Sequence, residues 1–243
     1  MITILNLLRI ERRKIVRFIP LYVSLAIMIL MWADMLTTSL KDEYIEMYGP
    51  LTMHDGFGEG IQDCSFSFLY GMLIAWFIGI DFTNRTVHKA IVTGNSRWKI
   101  VVAKLISTSV VVMIFHFISA VLETLMYGKQ FGFSFEGFSA KDIAWLLVIM
   151  LQLIAYNAFY ELVTIICGNV YIALFASITT AAVLGNVLRN YLGGNFIYEH
   201  SFFCLAKSSS AADLIPCAVC AIIAAVLLVL ASCFVFNKKD VAN

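Results

Sequence analysis

The sequence predicts an all-α membrane protein: six transmembrane helices, an N-terminal interfacial helix, and a short cytoplasmic helix between spans 2 and 3. Three observations predict it. Of 243 residues, 61% are hydrophobic and only 14% are charged, with mean hydropathy +0.87, whereas an ordinary soluble domain is about 25% charged. The apolar residues fall in long continuous runs, not in the alternating segments of roughly ten residues that a barrel shows. The basic residues gather on one side of those runs. A soluble chain of this size has too much surface to hide so much apolar area. A soluble enzyme, a nucleic-acid binder and a disordered tail are thereby excluded. The net charge of +1 gives no global field to gather a polyanion.

The first 17 residues come before any apolar run. On a helix, Thr3, Asn6, Arg9, Arg13 and Arg17 share one face while Ile4, Leu5 and Leu8 lie on another, the pattern of a helix lying in the membrane interface. No cleavable signal is expected, because span 1 is too long and no small-residue cleavage site follows it. Each crossing needs about 20 apolar residues with its backbone bonds satisfied internally. Span 1 is read as 18–36, span 2 as 64–82, span 3 as 100–126 and span 6 as 214–236. Between Ile143 and Leu188 the only charge is Glu161. As one helix that stretch would run about 69 Å at 1.5 Å per residue, over twice a hydrocarbon core of about 30 Å. It must fold back, and Gly168-Asn169 is the turn-like dipeptide near its middle. Spans 4 and 5 are therefore read as 143–167 and 170–188. No linker or repeat divides the chain, so residues 1–243 are taken as one transmembrane domain.

Six spans put both termini on one side. If that side is cytoplasmic, the inner segments hold Arg9, Arg12, Arg13, Lys14, Arg17, Arg85, Lys89, Arg97, Lys99, Lys104, Lys238 and Lys239. The outer segments hold only Lys41, Lys129, Lys141, Arg189 and Lys207. This asymmetry predicts cytoplasmic termini in a cell membrane. The outer loop 37–63 is acidic, with Asp42, Glu43, Glu46, Asp55, Glu59 and Asp63 against Lys41.

The inner segment between spans 2 and 3 reads Gly79-Ile-Asp81-Phe-Thr-Asn-Arg85-Thr86-Val-His88-Lys89, continuing through Gly94-Asn-Ser96-Arg97-Trp98-Lys99 to Lys104. A short basic helix is expected over 85–93, with Gly94 as its C-cap and Ser96 as N-cap of span 3. Basic residues at inner helix ends bind anionic headgroups, and docking of a soluble partner is the other reading. The acidic-aromatic end of span 2, the Arg-Thr pair, the short helix, Ser96-Arg97 and Lys104 together resemble the type-2 ABC transporter permease family. The ending Phe236-Asn-Lys238-Lys239-Asp240 is similar to that family's aromatic-basic-basic-Asp terminus, and length and span count fit the whole chain.

The resemblance implies a permease subunit of an ATP-driven exporter, moving peptides, antimicrobial peptides or drugs outward or conferring immunity to them. It implies two copies of a separate ABC ATPase subunit, which would carry the ATP and Mg, and a second or sister permease as dimer partner. In such proteins the loop after span 2 is a coupling helix seated in the ATPase; by position Asp81, Arg85, Thr86, His88, Lys89 and Arg97 would serve. The chain itself is expected to be no enzyme and to hold no cofactor: no G-x-x-x-x-G-K-[ST] phosphate loop occurs in it. A non-transporting membrane protein that binds a peptide or partner, such as an immunity or adaptor protein, stays open as the alternative.

Ala173, Ser177, Ala181 and Gly185 recur every four residues in span 5, a spacing that lets helices approach closely. It suits either a dimer seam or packing within the subunit. Gln152, Tyr156, Asn157, Tyr160 and Glu161 place polar groups in span 4, as pathway or inter-helix groups; for Glu161 an inter-helix hydrogen bond is expected. Glu123 is expected at the outer interface. Cys64 and Cys204 both fall on the outer side, where a disulfide is open. The segment 190–213 is glycine- and aromatic-rich, and the family resemblance implies a short re-entrant helix there. The four histidines show no zinc-binding spacing, so no metal is expected.

Overall fold

The computed structural model describes residues 4–37, 51–62, 67–183, 189–205 and 212–239. All regular structure among these residues is helical, with no strand. Helix α1 (Ile4–Val16) is followed by α2 (Ile19–Thr37), with a bend of 56° between the two axes. Then come α3 (Met53–Gln62), α4 (Ser67–Thr83), the short α5 (Thr86–Val92), α6 (Arg97–Phe131) and α7 (Ala140–Cys167). The chain continues through α8 (Val170–Ala182) and the single turns α9 (Arg189–Leu192) and α10 (Phe196–Glu199) to α11 (Leu214–Lys238).

Helices α6, α7 and α11 are long and apolar enough to cross a membrane, and α1 with α2 makes a fourth if that bent pair is one span. At 1.5 Å per residue, α6 with its 35 residues is about 52 Å long and outruns a hydrocarbon core of about 30 Å. It starts three residues before the expected span and ends five after it. Lys129, read from sequence as a loop residue, is therefore inside a helix. Helices α4 and α8 are apolar but shorter, at 17 and 13 residues.

Local chemistry sets the ends. The capping box of α7 joins Ser139 to Asp142, with the Ser139 N–H donating to Asp142 Oδ2 at 2.6 Å. Gly168 takes the left-handed φ of 63° that stops α7. The Asn169 side chain then accepts from Tyr171 N at 2.9 Å and Ile172 N at 3.4 Å, starting α8. The break at Gly168-Asn169 is where the sequence places it.

Helix α3 was not expected. The Gly56-Phe-Gly58-Glu-Gly60 run reads as loop because glycine is a weak helix former, yet here glycine lets α3 lie against α6. A Cβ on Gly60 would stand 2.9 Å from the Ala120 Cα, and one on Gly56 would meet the Tyr127 side chain at 2.5 Å. Tyr127 Oη donates to Glu59 at 2.5 Å, and His116 Nε2 lies 3.0 Å from Ile61 O. Glu123 is buried at 8% exposure in this seam. In the segment 190–213 the described residues form the short helices α9 and α10.

The main core gathers Met28, Trp32, Ile74, Phe77, Tyr127, Trp145 and Tyr160. A second cluster, Val87, Ile100, Val101, Ile165 and Phe236, ties α5 to α6, α7 and α11. The outward residues of α11, among them Ile215, Ile222, Val226, Leu230 and Phe234, are at least half exposed, a surface suited to lipid rather than water.

Candidate functional site

The candidate site lies where α1, α4, α5, α6 and the ends of α7 and α11 meet. It is built on a buried network of four charges. Asp81, at the end of α4, is 6% exposed. Its Oδ2 accepts from Lys14 Nζ of α1 at 2.6 Å and from Lys104 Nζ of α6. Lys104 also donates to Glu11 Oε1 at 3.2 Å, and Lys14 to Phe77 O at 2.6 Å. Buried charges survive only when paired and hydrogen-bonded, and here each cation has carboxylate partners. Burial and the neighbouring Lys104 ammonium pull the Lys14 ammonium down from 10.5 to about 8, against the opposing pull of Asp81 and Glu11.

Beyond Asp81 the chain reverses at Arg85, the non-glycine residue with positive φ (57°) among those described. The turn is closed by Arg85 N donating to Phe82 O at 3.1 Å, and α5 begins at Thr86. Val87, 3% exposed, pins α5 into the second core cluster. Gly94 follows α5 with φ 90°, and its N–H donates to Ile91 O at 2.9 Å. Ser96 occupies the N-cap position of α6 without a side-chain cap bond, so the capping expected of it is not made.

Two residues expected on a docking face are spent inside the chain. Asp81 is buried in the charge network. Arg97 Nη1 donates to Phe236 O at 2.5 Å, Asn237 O at 3.0 Å and Lys239 O at 2.9 Å, satisfying the free carbonyls at the end of α11. In turn Lys239 Nζ donates to Ile165 O at 2.7 Å and Ile166 O at 2.9 Å, closing the end of α7. The Phe236 ring packs edge-on to Phe82 at 5.8 Å. Arg85, Thr86 and Lys89 are exposed and His88 is half-buried. Val92 at 71% and Trp98 at 50% exposure stand beside them.

Sequence reading passed over Glu11 and Lys14. The signal was present: Leu7, Glu11 and Lys14 stand at i, i+4 and i+7, and Leu7 is the buried apolar residue while Leu5 is 64% exposed. The outward-facing arginines drew attention to the opposite face.

The span-4 residues are all turned inward. Asn157 Nδ2 donates to Leu105 O at 3.2 Å, Thr108 Oγ1 at 2.9 Å and Ser109 Oγ at 2.6 Å, joining α7 to α6. Gln152 Nε2 donates to Ser201 O at 3.1 Å, and the Tyr156 and Tyr160 hydroxyls bond at 3.3 Å. Glu161 is fully buried, and neither of its oxygens has a hydrogen-bond partner among the described residues. The inter-helix hydrogen bond expected of it is not made. In the small-residue series, Ala173 and Ser177 are fully buried on α8, which packs along α4 of the same chain. Ala181 is half-buried. Gly185 lies outside the described residues, as does Cys64 and with it the pairing to Cys204. No three His, Cys, Asp or Glu side chains among the described residues converge to hold a metal ion.

No family model matches this chain, and no curated protein or solved structure does so either.

Proposed function

We propose that the chain is the membrane subunit of an ATP-driven exporter of the type-2 ABC permease kind, exporting peptides, antimicrobial peptides or drugs or conferring immunity to them. In this reading α2, α4, α6, α7, α8 and α11 are the six spans, α1 lies in the inner interface, both termini are cytoplasmic, and a second permease copy completes the pathway. The observation that carries it is the exposed Arg85, Thr86 and Lys89 on a helix fixed at both ends. One end is held by the Asp81 charge network, the other by the Arg97 contacts to the end of α11. A helix so held passes a push on its outer face into α1, α6, α7 and α11 together. With no phosphate loop in the chain, the ATP would be bound by separate subunits, one seated on this face of each permease copy.

The test is Arg85→Glu with Lys89→Glu. Both side chains are exposed, so expression and membrane insertion stay near normal. At a fixed interface, reversed charges typically cost several kcal/mol, so co-purification of an ABC ATPase subunit and substrate-linked ATP turnover are both lost. Normal co-purification and turnover in the double variant would return α5 to headgroup binding. The absence of any co-purifying ATPase from the unaltered chain would favour a non-transporting adaptor.

A further inference from the structure

A cleft of about 240 Å³ lies between α1 and α5, on the inner side of the face that the docking reading uses. Glu11 and Asn95 line it, and each keeps one buried oxygen, Glu11 Oε2 and Asn95 Oδ1, with no hydrogen-bond partner among the described residues. Asn95 is 6% exposed, and its Nδ2 is committed to Ala90 O at 2.8 Å and Thr93 Oγ1 at 3.2 Å. The other Glu11 oxygen accepts from Lys104. Both orphan atoms are acceptors, so an occupant that suits them donates hydrogen bonds. The Glu11 carboxylate selects a cationic donor. At the rim the exposed Lys89 favours an anion. Ile10 lines the cleft yet is 56% exposed, so an apolar side chain stands at its mouth.

A cation inside, an anion at the rim and an apolar chain alongside describe one kind of molecule. We propose that this cleft binds the headgroup of a phospholipid bearing a primary ammonium. The ammonium meets Glu11 and Asn95, the phosphate meets Lys89, and an acyl chain leaves past Ile10. A phosphoethanolamine head has about eight non-hydrogen atoms, and the cleft has room for about as many water-sized groups at roughly 30 Å³ each. A lysine from a partner protein would satisfy the acceptors but would leave Lys89 and Ile10 uncovered. This inference rests on α1 lying in the membrane interface and not on whether an ATPase docks.

Native mass spectrometry of the full chain in mild detergent tests it, with phosphatidylethanolamine, phosphatidylcholine and phosphatidylglycerol of matched acyl chains at equal concentration. The ethanolamine lipid is expected to be retained at least tenfold over either of the others. Glu11→Gln removes the inner charge. Ala90→Phe fills the cleft from α5 and leaves every charge in place. Each is expected to abolish the preference while the chain stays monodisperse with an unchanged helical circular-dichroism spectrum, which separates loss of the site from loss of fold. Equal retention of the three lipids, or a preference that survives Ala90→Phe, overturns the proposal. A carbodiimide cross-link from Glu11 to a lysine of a co-purifying protein, with no lipid retained, would assign the cleft to a protein side chain.

Discussion

Lys104 is the residue on which three elements converge: it sits on α6 and bonds Asp81 of α4 and Glu11 of α1. Lys14 shares Asp81 with it, and its proton is the one within easy experimental reach. With Lys14 at about 8 in the folded chain and 10.5 ordinarily, the folded state binds fewer protons than the unfolded state between those values. Stability therefore rises with pH across that window, by at most about 1.4 kcal/mol per pH unit for one group, and is flat with respect to this group below it. Thermal melts of the purified chain in detergent are expected to climb from pH 8 to pH 10, and Lys14→Gln to flatten the climb. Equal slopes in the two proteins would show that Lys14 titrates as it does in water. Residue-scale reading of the sequence reached the type of residue more readily than its partner. Asp81 and Arg97 were named with the coupling residues by position, and their bonds run to Lys14, Lys104 and the end of α11, because a motif shows which side chains are present and not which way they face. Glu161 was expected to be hydrogen-bonded from its position near a helix end, whereas packing closes over it from α5, α6 and α11.

At the scale of elements, long apolar periodicity and turn chemistry were legible. The ends of α7 and the start of α8 fall where Gly168-Asn169 and Ser139 place them. Helix α3 was not legible, because its stability comes from contact with α6 rather than from its own residues, and tertiary packing routinely overrides propensity. Two glycines of one helix test that account. Gly60→Ala forces a Cβ against the Ala120 backbone at 2.9 Å, while Gly58→Ala meets only Trp145 at an ordinary 3.5 Å. Overpacking of this kind typically costs about 1–3 kcal/mol, whereas alanine in place of glycine within a helix gains roughly 0.5–1 kcal/mol. Gly60→Ala is expected to lower the melting temperature, and Gly58→Ala to leave it unchanged or raise it. If both variants behave alike, close approach is not what holds α3 to α6. The small residues of α8 follow the same logic, since Ala173 and Ser177 are consumed within the chain while Tyr171 and Phe175 face outward at 75% and 73% exposure.

For the whole molecule, the composition alone indicates lipid as the solvent, and three or four helices of crossing length bear that out. Helices α4 and α8 are as apolar as the others, and the described residues give them 17 and 13 residues. The basic ends of α1, α5, α6 and α11 meet at one end of the assembly, while the His54–Asp142 pair at 3.1 Å and the His200–Asp213 pair at 3.0 Å belong to the loops and caps of the other. The central claim is that the α5 end faces the cytoplasm, where ATP is. Its most direct test is cysteine accessibility in whole cells, with all six native cysteines replaced. Val92→Cys reports on the exposed face of α5, and Glu136→Cys reports on the exposed loop between α6 and α7. A membrane-impermeant maleimide is expected to label position 136 in intact cells and to reach position 92 only after the cells are opened. Labelling of position 92 in intact cells, with position 136 protected, would reverse the orientation and remove α5 from the reach of any cytoplasmic ATPase.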